Sequence, residues 1–334
     1  MRDKIPCSTR TRFSSKVPAV MSQVHDLILL HGREQAKKMV GPDESHLVDA
    51  AAAVMAAEDD AFGVMYSGFA LTALPHRRLA TDDAVWERSG ARCSLLVEPG
   101  RLPDGMGKFR LYGVPYGSRA RLILLYLQTQ AILNQNPEVS LGRSMREWMR
   151  RMGLEPGGQT YKDVREQSRR LAACNVTFSW GNDGTRAVVA FEKSPIIRSG
   201  AFAVEGITAD EANQLTLWED RVKLSELFFR ELRDHPVPIY EPAIRAMVDN
   251  STAMDIYIWL SYRLHVLDRP ITVRWTSLLD QFGAGYSRLR DFKRRFTDNL
   301  KLALACYPDA KVDVDAAGMR LHPSPSPVKA ALKG

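Results

Sequence analysis

Between residues 119 and 322 the sequence spells one order of secondary structure twice, and this limits the fold more than any single motif. The first pass opens on Arg119-Ala-Arg-Leu-Ile-Leu-Leu-Tyr-Leu-Gln128, whose apolar density predicts a buried helix. Ser144 through Gly153 follows, with Ser144 as cap, Glu147 closing a capping box and Gly153 as stop. A third helix is predicted from Thr160 to about Ala173. It leads into a strand at Asn175–Trp180, a Gly181–Gly184 turn and a second strand at Thr185–Phe191. The second pass repeats this with a buried helix at Ala253–Leu264, a short one at Trp275–Gly283 capped by Thr276, and a long one from Ser287 to Ala305. A hairpin of Ala310–Asp315 and Met319–His322 closes it. The copies agree in element order, not residue by residue. Helix, helix, helix, two-stranded hairpin is the order of the winged helix-turn-helix.

The expected fold class is therefore α+β: two winged-helix modules preceded by a small N-terminal α/β region. Residues 1–20 read as a disordered basic leader, with Met21 a candidate start. Residues 21–112 hold N-terminal helices (Ser22 to about Val40, with Ser22 as cap, and Glu44 to Asp59) and a β region, with no role derivable from the sequence. Within that region strands are expected at Gly63–Leu74, Cys93–Val97 and Phe109–Tyr112, with a turn across Pro99–Gly105. The first module spans 113–224, including a strand at Leu215–Leu224. Residues 225–252 form a linking helix capped at Ser225 and a hinge at Pro236-Val-Pro238. The second module, expected to read DNA, spans 253–322, and 323–334 is an extended or disordered tail.

A formal net charge of +7 is compatible with nucleic acid or an anionic surface, so the placement of the charge decides. Around Asp291, the residues Leu289, Phe292, Phe296 and Leu300 recur at helical spacing. Arg290, Arg294 and Lys301 flank that stripe on one side, Arg288 and Arg295 on the other, and Lys293 lies near it. Such a helix packs on its own domain and presents guanidiniums to a major groove, where the planar fork of arginine matches O6 and N7 of guanine. Tyr286 and Ser287 enter the helix beside these residues. The plain alternative is a solvated amphipathic helix. The hairpin after it and the repeated arrangement favour DNA. The first module carries Arg143, Arg146, Arg150 and Arg151, then Lys162, Arg165, Arg169 and Arg170, with the acidic neighbours Glu147, Glu155, Asp163 and Glu166 offsetting about half of that charge. Phosphate contact and a salt-bridged surface both fit there.

No enzyme signature emerges, so no catalytic site, metal or cofactor is expected. Gly107-Lys108 lacks the first glycine and the Ser/Thr of a phosphate-binding loop. Gly285-Tyr-Ser-Arg-Leu289 lacks the closing glycine of a nucleophile elbow. The carboxylates of Asp313-Val-Asp315 have no evident third partner for a metal-dependent polymerase or nuclease. Tyr257, Trp259, Tyr262, Trp148 and Trp218 read as core. Cys7, Cys93, Cys174 and Cys306 lie far apart without zinc spacing, as reduced thiols of a cytoplasmic protein do. No apolar run is long enough to span a bilayer.

Three stretches carry a resemblance: Gly113–Gln130, Ala253–His265 and Gln281–Phe296, joined by Ala73-Leu-Pro-His-Arg-Arg-Leu79. Together they resemble the RepA proteins encoded by plasmids of proteobacteria, over about Met21 to Pro323. The resemblance implies replication initiation by binding double-stranded origin DNA with direct repeats, followed by recruitment of the host initiator and replicative helicase. It also implies homodimers and repression of the protein's own gene, so repression alone is the main alternative. A primase-like or nicking enzyme is the third. Carried over, the helix from Tyr286 onward reads bases and the first module touches backbone or mediates dimerisation.

Overall fold

The computed structural model describes residues 18–58, 61–90, 93–104, 106–181, 190–200 and 221–328. From the N-terminus, α1 (Pro18–His31) and α2 (Arg33–Val40) are separated by Gly32, whose φ of 74° leaves the helical region. The single helix expected from Ser22 is thus two, and Ser22 lies inside the first rather than at a cap. α3 (Ser45–Met55) stops short of Asp59. The strand expected at 63–74 divides into β1 (Phe62–Tyr66) and a helical turn, α4 (Ser67–Leu71). β2 (Trp86–Ser89) and β3 (Cys93–Glu98) precede a ribbon of β4 (Gly100–Pro103) and β5 (Phe109–Tyr112). The Asp104 side chain accepts from the Lys108 amide at 3.0 Å, so this ribbon reverses after Pro103 and not across Pro99–Gly105.

The first repeat comprises α5 (Gly117–Leu133), β6 (Glu138–Ser140), α6 (Met145–Arg151) and α7 (Gly158–Ala173). Ser144 caps α6 by accepting from the Glu147 amide. The Glu147 carboxylate reaches the Arg143 amide, one residue earlier than a capping box requires. Four strands follow: β7 (Asn175–Trp180), β8 (Ala190–Pro195), β9 (Ile197–Gly200) and β10 (Arg221–Leu224). Residues 182–184 of the expected turn and most of its second strand lie outside the described residues, as do residues 215–220 of the expected strand at Leu215–Leu224. β7 and β8 pair, but they are not a free hairpin. They extend β2 and β3 into a four-stranded antiparallel sheet of order β2-β3-β7-β8.

Ser225 caps α8 (Glu226–Asp234), accepting from the Phe228 amide. The expected hinge at Pro236-Val-Pro238 is instead part of β11 (Pro236–Tyr240), which pairs antiparallel with β1, Pro238 opposite Val64. The prolines are tolerated because this is a two-stranded sheet, where each strand has an outer edge that needs no donor. α9 (Glu241–Ala246) leads to the second repeat: α10 (Ser251–Leu264), β12 (Ile271–Arg274), α11 (Trp275–Phe282), α12 (Leu289–Ala305), β13 (Val312–Val314) and β14 (Gly318–Leu321). β12 runs straight into α11, so Arg274 holds the cap position and Thr276 lies inside the helix.

The two repeats share a feature that the hairpins alone do not reveal. In each, a short strand between the first and second helices borders a three-stranded antiparallel sheet. The orders are β6-β10-β9 and β12-β14-β13, so the counterpart of the second hairpin is β9–β10, not β7–β8. The buried hydrophobics form one connected cluster from Val24 to Val328. Trp148, Tyr257 and Trp259 are in it, and Tyr262 packs against it; Trp218 lies outside the described residues. Cys93, Cys174 and Cys306 are buried free thiols, each pushed up to about 12 by burial. After β14 the segment to Val328 is tied down: the Ser324 amide donates to Leu264 O, and Tyr307 Oη to Pro325 O. Among the described residues no helix is long and apolar enough to cross a membrane.

Candidate nucleic-acid interface

α12 is amphipathic in the expected register. Phe292, Phe296 and Leu300 are buried, and Trp275, Phe282, Phe292 and Phe296 meet in edge-on and tilted ring contacts 5.3–6.4 Å between centroids. This anchor leaves Arg288, Arg290, Arg294 and Arg295 exposed, Arg290 to 87% of its side-chain area. Ser287 is exposed, and Tyr286 rests edge-on against Phe292 at 5.6 Å. Lys293 is half-buried. Its ammonium sits over the Trp275 ring and approaches Ala316 O at 3.4 Å, which ties the helix to the turn of the β13–β14 hairpin. Lys301, expected among the DNA contacts, is ion-paired to Glu44 at 2.6 Å and fastens α12 to the segment before α3. The exposed face of the adjoining sheet adds Arg274 and Arg320, which sequence reasoning missed. Their alternation with Val273, Met319 and Leu321 is the available signal.

On α7, Lys162 is exposed and Arg165 half-buried. Arg169, expected on the surface, is only 7% exposed. The last turns of α7 face inward against the N-terminal part of the chain. There its neighbour Arg170 bonds Asp82 and Glu166, each at 2.9 Å, and stacks over Tyr116. Arg143, just before α6, and Arg146 and Arg150 on that helix are exposed and line neither of the hollows described next.

The loop Pro75–Leu79 brings the two patches together. On one side it forms a hollow of about 540 Å³ with Tyr286, Phe292, Arg295 and Trp86. On the other, Arg78 joins Lys162, Arg165 and, from β5, Arg110 around a second hollow of about 330 Å³, backed by Arg169 and Arg170. Arg78 lines both. Exposed Arg77 and Arg78 are thus part of the surface, and their only sequence signal is the basic pair in Ala73–Leu79.

A buried ion pair holds this loop. Arg121 on α5 makes a two-pronged contact with Asp255 on α10, both bonds 2.7 Å. Its remaining donors reach Leu74 O, Pro75 O and Gly117 O. His76 Nδ1 lies 3.0 Å from Ser251 Oγ and 3.8 Å from Asp255. Burial, and then the Arg121 charge, push His76 down to about 4, with Arg88 and Arg77 acting the same way and Asp255 opposing. The fold therefore holds this imidazole neutral, whereas the unfolded chain protonates it near 6.5. The stability it contributes is present above pH 6.5 and is lost as pH falls toward 4. The midpoint of urea unfolding should drop across that window, and His76→Asn should flatten the drop.

The profile of the family described as "Plasmid encoded RepA protein" matches residues 114–277, about half of the chain. Over that span the chain matches the plasmid-encoded RepA family, and the match supports a role in plasmid replication initiation. It runs from just before α5 into α11, so the arginine face of α12 lies beyond it. Among solved structures, two crystal structures of domains 2 and 3 of RctB are similar at 13% identity. One has a TM-score of 0.42 and covers 70% of this chain and 82% of that one; the other has 0.41, covering 73% and 86%. No curated protein matches.

Proposed function

We propose that this chain initiates plasmid replication by binding the direct repeats of its origin through two winged-helix units, without a catalytic site of its own. The observation that carries the reading is the exposed arginine face of α12, anchored from behind by an aromatic cluster and flanked by a three-stranded sheet that exposes Arg274 and Arg320. Three helices and a three-stranded sheet of the same order in each repeat support the winged-helix assignment. In this reading α12 enters a major groove and Arg290 and Arg294 contact base edges. The hairpin and the 75–79 loop follow the backbone. Host initiator, replicative helicase and a second copy of the chain are the protein partners that the family implies.

Anisotropy titrations on a duplex carrying the plasmid's own repeats test it. Arg290→Ala with Arg294→Ala should weaken specific binding by about 1–3 kcal/mol for each base that these arginines read, while binding to random duplex changes little. Equal weakening on both duplexes would make these residues phosphate binders, and no binding by the parent protein rejects the reading. Pure protein with Mg²⁺ should neither nick nor prime. A product abolished by Asp313→Asn would overturn the non-catalytic assignment.

A further inference from the structure

We infer that the hollow between α7 and the β4–β5 ribbon is a cradle for two backbone phosphates of the bound duplex, one at Lys162 and one at Arg110, so that the N-terminal part of the chain supplies a DNA contact of its own. The inference rests on the DNA reading above and adds residues outside both repeats. Six cationic side chains and two carboxylates line the hollow, a net lining charge of +4. The carboxylates, Asp82 and Glu166, are held by Arg78 and Arg170 at 2.9 Å. They order the guanidiniums at the back of the hollow, and Arg110 and Lys162 stand exposed at its mouth.

The ribbon argues for a strand over a small anion. Met106 and Phe109 are exposed to 76% and 66%; Phe109 shares one face of the ribbon with Arg101, while Arg110 is on the other, the face of the hollow. Cations on both faces of an exposed ribbon suit a polyanionic backbone running past it, whereas a free anion needs only the charge inside the hollow. The ribbon is held in place against α7. A Cβ at Gly100 would collide with the Ala173 carbonyl at the C-terminal end of that helix, so only glycine permits this approach. Arg78 then continues the positive surface into the hollow beside Tyr286 and Arg295.

The test uses the full chain, with affinity for repeat and random duplexes measured across a series of KCl concentrations. Arg110→Gln with Lys162→Gln should weaken both duplexes equally and reduce the slope of log K against log[KCl] by about 2, since each phosphate contact contributes about 0.9. Arg110→Gln alone, at an exposed position of the N-terminal ribbon, should reduce it by about 1 even if the double variant folds poorly. Unchanged slopes with intact repeat binding overturn the cradle and leave the proposed function standing. A parent protein that binds neither duplex overturns both. A labelled mononucleotide, run in parallel, overturns the cradle if it binds and its binding disappears in Lys162→Gln while the duplex slopes stay unchanged.

Discussion

Replacing Arg121 by alanine is expected to lower the free energy of unfolding by about 3–5 kcal/mol, the usual cost of removing one partner of a buried ion pair. Arg121 and Asp255 are 4% and 7% exposed. Alanine strands the Asp255 carboxylate in the interior and takes the guanidinium donor from Leu74 O, while Pro75 O keeps the Gly117 amide. The shift in urea midpoint measures it. Asp255→Leu combined with Arg121→Leu should cost less than Arg121→Ala, because no uncompensated charge remains. A destabilisation below about 1 kcal/mol in Arg121→Ala would show that the pair is not what joins α5 to α10. DNA affinity should fall along with stability, since the same guanidinium fixes the loop that carries Arg77 and Arg78.

Phe296→Ala should cost a similar amount, about 3–5 kcal/mol, for a different reason. The ring is 1% exposed and sits within 6 Å of the rings of Trp275, Phe282 and Phe292. Truncation opens a cavity that three rigid neighbours fill poorly. Phe296→Leu, which keeps most of the volume, should cost clearly less. Near-UV circular dichroism should change with it, because Trp275 loses an edge-on partner. If alanine costs no more than leucine, the cluster is not what anchors α12.

The parts of this fold legible in the sequence are those encoded locally. α5 and α10 announce themselves by apolar density, α12 by its Leu289–Phe292–Phe296–Leu300 spacing, and α6 and α8 by Ser144 and Ser225 at their caps. The illegible parts depend on partners far along the chain. β6 and β12 are three and four residues long, too short for periodicity to register, yet each borders a sheet that defines its repeat. Pro236-Val-Pro238 reads as a breaker because nothing nearby shows that β1, about 170 residues earlier, will pair with it. The site divides the same way. Helical spacing finds the exposed arginines of α12, Arg290, Arg294 and Arg295, and Arg288 at its cap. It cannot tell that Lys301 will meet Glu44, or that Arg169 turns inward beside Arg170, whose partner Asp82 lies 88 residues away.

Because the Arg121–Asp255 pair bolts the leading helix of one repeat to that of the other, the two cannot adjust their separation as tethered beads would. A duplex engaged by both must present its contacts at the distance and helical phase the protein dictates. On the proposed reading, base pairs inserted between those contacts should rotate one of them out of reach, so that affinity would depend on spacing along the duplex as well as on composition.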